Sequence, residues 1–163
     1  MMKAKLSLII AAVAMCSLSS KAQTNVPNYL LASQLRTLTG KIGMPVDSID
    51  TSMLDFEKYM LGFTKRPQTA ARETKYQSDL LDTWISFQTD GSNKVMGINC
   101  TMPASSLSTA QKAITLLGMT VNERAAFQPG YIAYSNLTHI AFLNPELTKG
   151  HLSLVLFTLP IIN

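Results

Sequence analysis

WISFQTDGSNKVMGINCTMP, residues 84–103, decides the fold class. Trp84 to Gln88 and Val95 to Met102 are short runs rich in β-branched, aromatic and apolar residues, and Asp90-Gly91 between them is a strong hairpin signal. Two antiparallel strands are predicted there. In the second run the period of two puts Met96, Ile98, Cys100 and Met102 on one face. Cys100 is expected to be a small buried hydrophobe, because no His or electropositive helix end lies nearby in sequence to activate a thiolate.

Further strands are predicted at Tyr131 to Ser135, His139 to Leu143 and Leu152 to Leu159. The last is apolar on both faces, which suits a central or covered strand. Upstream, Leu31, Leu35, Leu38 and Ile42 form an amphipathic helical stripe that Gly43-Met44-Pro45 closes. Leu107, Ala110, Ile114 and Leu117 repeat the stripe, with Ser108 and Gln111 at capping-box spacing and Gly118-Met119 at the end. Ile49, Met53, Phe56 and Met60 predict another helix after Asp47 and Asp50, carboxylates suited to its positive end. The fold class is α+β, with helices packed on one face of an antiparallel sheet.

An internal repeat organises these elements. At an offset of 75, Ser33, Gly43, Met44, Val46 and Tyr59 meet Ser108, Gly118, Met119, Val121 and Tyr134. Thr101-Met102-Pro103 matches Thr158-Leu159-Pro160 at an offset of 57. Two tandem modules are therefore expected, about 28–103 and 105–160, in a single domain 23–163. The first carries an insertion of 18 residues, assigned to Thr64 to Leu81 and expected to be a solvated, partly helical loop. This arrangement is similar to the tandem helix-helix-sheet modules of β-lactamase-inhibitor proteins and outer-membrane assembly lipoproteins, whose Gly-Met-Thr turn resembles Gly43-Met44 and Gly118-Met119-Thr120. The Leu-Gly-x-Pro that closes the second helix in those families is absent from both halves, and no residue roles transfer.

The first 22 residues read as a cleaved secretory signal: Lys3 and Lys5, an apolar run from Leu6 to Met15, then Ser20-Lys21-Ala22 before Gln23. The run is about half the roughly 20 residues that a membrane-spanning helix needs, so no transmembrane helix is expected. The Ala-Gln junction resembles those of exported proteins of Bacteroidota. The alternative is lipidation at Cys16, although Met15 stands where such boxes carry a small residue. Periplasmic or secreted localisation follows, or membrane anchoring through Cys16.

Export changes the charge reading. The chain of 163 residues carries a net charge of +4, but Lys3, Lys5 and Lys21 leave with the signal and reduce 14 basic residues to 11 against 10 acids. A net charge of +1 gives no ground for nucleic-acid binding. With Cys16 removed, Cys100 has no partner for an internal disulfide.

Chemistry is hard to place on what remains. His139 and His151 stand twelve apart, and no zinc-ligand spacing, Walker loop, Gly-x-Ser-x-Gly elbow or dinucleotide fingerprint occurs. No metal or cofactor is expected. Asp47, Asp50, Asp55 and Glu57 lack calcium-loop spacing, and helix capping accounts for the first two. Asp47-Ser48-Ile49 resembles an O-glycosylation motif of Bacteroidota, and Asn99-Cys100-Thr101 and Asn136-Leu137-Thr138 are formal N-glycan sequons. The expected function is that of a small exported, non-catalytic interaction or ligand-binding protein, in its sharper form an inhibitor or immunity protein that captures a periplasmic enzyme or toxin. The candidate contact residues are Lys65, Arg66, Arg72, Lys75 and Tyr76 in the insertion, and Glu146 and Lys149 in the Asn144 to Gly150 hairpin. The alternative is a cell-wall or glycan hydrolase whose site is assembled from scattered Asp, Glu and His residues.

Overall fold

The computed structural model describes residues 31–58, 62–68, 70–125 and 127–159, with the side chains of 54–58 outside that description. The signal segment 1–22, Cys16, Tyr59, Met60, Pro160 and the Phe56 side chain lie outside the described residues. No helix among the described residues is long and apolar enough to cross a membrane.

Helix α1 occupies 31–39, and Leu31, Leu35 and Leu38 on its stripe are buried. Its turn continues to Gly43, at φ 90°, whose N–H bonds the Val95 carbonyl at 2.7 Å. Helix α2, Asp47–Lys58, begins with both predicted acids in its first turn. Helix α3, Leu107–Leu116, is entered through a 3-10 turn at Ala104–Ser106. That turn replaces the predicted capping box: Ser108 falls inside the helix, and the N-cap Ser106 makes no side-chain cap bond. At the far end Gly118, at φ 65°, lets the Met119 N–H return to the Ile114 carbonyl at 3.2 Å, a closure that only a left-handed residue permits cheaply.

The strands are β1 (Phe63–Lys65), β2 (Glu73–Ser78), β3 (Thr83–Thr89), β4 (Val95–Pro103), β5 (Thr120–Val121), β6 (Ile132–Ser135), β7 (His139–Thr148) and β8 (His151–Thr158). They form one eight-stranded sheet in the order β1-β2-β3-β4-β8-β7-β6-β5. Every pairing is antiparallel. The apolar β8 pairs with β4 and β7 in the middle, the environment its sequence requires. One cluster joins Ile85, Phe87, Ile98, Met102, Leu154 and Leu156 of the strands to Leu35, Ile49, Met53 and Ile114 of the helices. Each such side chain contributes roughly 1.5–3 kcal/mol on burial.

Two expectations are corrected. The segment 64–81 is not a loop: it carries the end of β1 and all of β2. Its charges alternate with Thr74, Tyr76 and Ser78, so one side of β2 is inward while Lys75 and Gln77 point outward, an arrangement suited to a charged strand near a sheet edge. The face shared by Met96, Ile98, Cys100 and Met102 is also broken. Gln88 pairs with Gly97 and Thr89 with Val95, so Met96 is an unpaired bulge residue, 56% exposed, and Val95 takes the inward position. The turn is longer than two residues: Asp90 Oδ1 accepts the Ser92 and Lys94 N–H groups, and Asn93 rather than Gly91 is left-handed, at φ 58°.

Candidate functional site

Strand pairing sorts every β residue onto one of two faces. Ile85, Phe87, Ile98, Cys100, Met102, Leu154 and Leu156 point into the main cluster. Their neighbours in sequence point the other way and form rows across the strands. The central row runs Lys75, Ser86, Asn99, Val155, Phe142, Ala133 from β2 to β6. One flanking row runs Gln77, Trp84, Thr101, Ser153, Asn144, and the other Glu73, Gln88, Gly97, Phe157, Ile140, Ser135. Polar residues dominate the half built on β2–β4 and apolar residues the half built on β6–β8.

The polar half centres on Trp84, the single tryptophan of the chain. Lys75, diagonal to it across the β2–β3 pair, holds its ammonium 5.0 Å from the ring centroid, a cation–π distance. The His151 ring lies 5.3 Å from Trp84, and its Nε2 is 3.2 Å from Asp82 Oδ2. This pair ties the β2–β3 turn to the start of β8. Beside them the Ser153 hydroxyl donates to Asn99 Oδ1 at 2.9 Å. Ser86 and Thr101 are each 3% exposed, and their hydroxyls have no hydrogen-bond partner among the described residues.

The apolar half is a second, smaller cluster of Ala133, Phe142 and Val155 with Tyr131, Ile140 and Phe157 against it. Phe127, from the segment after β5, stacks on Phe142 at 4.8 Å and 23° while keeping 42% of its surface exposed. Phe157 leans over Gly97 at the seam between the halves. A Cβ at Gly97 would stand 2.5 Å from the Phe157 ring, so only glycine admits this contact.

Of the seven sequence-predicted contact residues, Lys65, Arg66, Lys75 and Tyr76 are brought together by the β1–β2 pairing, where Lys65 opposes Tyr76 and the Arg66 N–H bonds the Lys75 carbonyl at 2.8 Å, while Arg72, Glu146 and Lys149 lie elsewhere. Lys65 binds Asp50 at 2.9 Å and Arg66 binds Asp79 at 3.2 Å, both at the β1–β2 edge. Arg72 sits at φ 64° in the β2 approach, its carbonyl accepting the Thr89 N–H. Glu146 and Lys149 are exposed near the β7–β8 hairpin tip. Tyr76 is buried, and its hydroxyl donates to Asp50. Burial and that carboxylate push its phenol up, while the Tyr76 and Lys65 hydrogen bonds hold the Asp50 carboxyl below its usual range. Lys75 stands on the second face, in the central row. Trp84, Ser86, Asn99, Thr101, Phe142 and Phe157 escaped sequence reasoning, although the alternation of Gly97, Asn99 and Thr101 with inward residues carried the signal.

The remaining groups are accounted for locally. Burial pushes the Cys100 thiol up, as expected for an inert core cysteine. Ser48 donates to the Pro45 carbonyl at 2.7 Å, and Asn136 caps its own turn by accepting the Thr138 and His139 N–H groups. Thr138 Oγ1 lies 2.7 Å from His139 Nδ1. Burial holds the His139 imidazole below its usual range, with the Thr39 backbone acting in the opposite direction. Two open depressions, of about 650 and 390 Å³, flank β5; the larger is lined by Leu117, Leu137, Asn136 and Thr138. Asn136 donates one amide N–H to the Leu117 carbonyl there at 2.7 Å. No group of three His, Cys, Asp or Glu side chains that could hold a metal ion occurs among the described residues. Comparison with known proteins gives no match to a family model, to a curated protein or to a solved structure.

Proposed function

We propose that this chain is an exported, non-catalytic binding protein, built from two related halves with helices on one face of the sheet, and that the other face is its contact surface. In its sharper form it captures an enzyme or toxin in the periplasm as an inhibitor or immunity protein. The observation that carries the reading is the second face itself, where aromatic side chains adjoin the Ser86 and Thr101 hydroxyls, which have no hydrogen-bond partner among the described residues. Aromatic anchors beside polar groups are the composition of binding surfaces. The strand order supports the two halves, since β1-β2-β3-β4 is mirrored by β8-β7-β6-β5 about the β4–β8 pair. On that alignment the 18 additional residues fall between Gly43 and Glu73, the stretch that holds α2. The His151–Asp82 contact and the Ala104 N–H bond to the Gly150 carbonyl place the β2–β3 turn and the β7–β8 hairpin at one end of the sheet, within reach of one partner.

The test is site-directed photo-crosslinking in the native envelope, with a benzophenone side chain at Gln88 on the second face or at Gln111 on the exposed side of α3. A discrete adduct from Gln88 and none from Gln111 is expected. Adducts from Gln111 alone, or equal smears from both, would overturn the assignment of the contact face.

A second reading, a cell-wall or glycan hydrolase, draws on the Thr138–His139 contact. Its hydroxyl also bonds Asn136 Oδ1 at 3.2 Å, and the Thr39 backbone rather than a carboxylate bonds the imidazole. Turnover of peptidoglycan fragments that disappears in Thr138→Val would favour it.

A further inference from the structure

Resting on the reading of the second face as the contact surface, we infer that its polar half binds the carboxylate of a small amphiphilic acid, whose aryl or alkyl part lies against Phe157. The groups on this floor are donors. Ser153 already occupies Asn99 Oδ1, which leaves the Asn99 amide N–H₂ as the free end of that side chain. Ser86 and Thr101 are residues only 3% exposed, and their hydroxyls, directed to this face by the β3–β4 and β4–β8 registers, have no hydrogen-bond partner among the described residues while their oxygens still reach solvent. Hydroxyls that spend no hydrogen bond on the fold and still reach solvent can exchange water for a ligand's acceptor without breaking a protein contact.

Charge selects what kind of acceptor. Lys75 is the direct cross-strand neighbour of Ser86, and Ser86 of Asn99. Directly opposed side chains stand roughly 4.5–5.5 Å apart at Cβ, which sets the Cβ atoms of Lys75, Ser86 and Asn99 in line, with the ammonium reaching from there over Trp84. Lys65, Arg66 and His151 each face a carboxylate, whereas the Lys75 ammonium is held over the Trp84 ring with no acid partner among the described residues. A cation beside neutral donors fits an oxyanion and repels a cationic group. On the other side of Asn99 the chemistry changes at once: its β8 neighbour is Val155, and the Phe157 ring covers Gly97. An acid with an apolar body fits both sides of that boundary, whereas inorganic phosphate would leave the apolar side unused.

Trp84 fluorescence reports on the site directly, being the single tryptophan and the residue over which Lys75 sits. The full mature protein is titrated with 4-phenylbutyrate, with its neutral amide and with acetate, each to about 10 mM. Saturable quenching or enhancement is expected with 4-phenylbutyrate, at least about tenfold weaker binding with the amide, and loss of that preference in Lys75→Met. Ser86→Ala with Thr101→Val should weaken the acid without altering the melting temperature appreciably, and the Asn99 side-chain amide resonances should shift on binding in wild type. Equal affinity for acid and amide, an unchanged preference in Lys75→Met, or no saturable response would overturn the inference. If a Gln88 crosslink persists in Lys75→Met while the acid does not bind, the contact face stands and only its ligand chemistry falls.

Discussion

The β1–β4 and β5–β8 halves of the sheet follow the same antiparallel path, yet their second faces have opposite characters. On β2–β4 the face is a polar floor of Lys75, Ser86, Asn99 and Thr101 around Trp84; on β6–β8 it is an aromatic cluster with Phe127 laid across it. The inward face shows no such contrast, because Ile85, Ile98, Leu154 and Leu143 serve one core. Packing demands constrain the inward positions of both halves alike, while the outward positions are free to differ, and their difference produces an amphiphilic boundary at β4–β8.

The sharpest way to break the contrast is to empty the aromatic half. Phe142→Ala removes the ring under Phe127 and should cost about 3 kcal/mol in urea denaturation. A cost below about 1 kcal/mol would mean that this half is surface rather than a second small core. The seam comes next. Gly97→Ala should destabilise by about 1–3 kcal/mol, and Phe157→Leu in the same chain should recover much of that loss, since the clash is with the Phe157 ring.

The β1–β2 edge of the polar half gives a pH signature. Tyr76 titrates above its ordinary value of 10.0, so its contribution to stability is full below pH 10 and is lost as pH rises through that value toward its folded-state one. Asp50 titrates below its ordinary value of 3.8, so its contribution holds above that and fades as pH falls further. Thermal melts of Tyr76→Phe should therefore show a shallower alkaline decline than wild type. Lys65→Met should cost under about 1 kcal/mol, because its partner Asp50 is half exposed. At the other half, His139 titrates below 6.5, so stability is lost as pH falls through 6.5, and His139→Gln should flatten that limb. The smallest effect is expected on the polar floor: Thr101→Val should change stability by no more than about 0.5 kcal/mol, because it removes a hydroxyl with no hydrogen-bond partner among the described residues.

Much of the scaffold was legible in the sequence, because helices and inward strand faces announce themselves by period. Leu31, Leu35 and Leu38, Gly118-Met119 and the double-sided β8 were readable in this way. β2 was not, since its charges hid the alternation of Thr74, Tyr76 and Ser78. The bulge at Met96 was hidden as well, because a one-residue insertion in a ladder leaves no compositional mark. The site was nearly illegible. Lys75 was singled out for its charge, but its relation to Ser86 and Asn99 exists only through the register of three strands from separate parts of the chain. Tyr76, its neighbour, was singled out on the same grounds and lies in the core, because adjacent strand residues face opposite ways.

Chemical-shift mapping of the labelled protein with 4-phenylbutyrate tests the central claim most directly, since it reports every backbone amide at once. The predicted pattern is a contiguous set of shifts along Lys75, Ser86, Asn99, Thr101, Ser153 and Phe157, with Leu35 and Ile114 unmoved. Shifts confined to Leu117, Asn136 and Leu137 beside β5, or scattered over both faces without saturation, would contradict it.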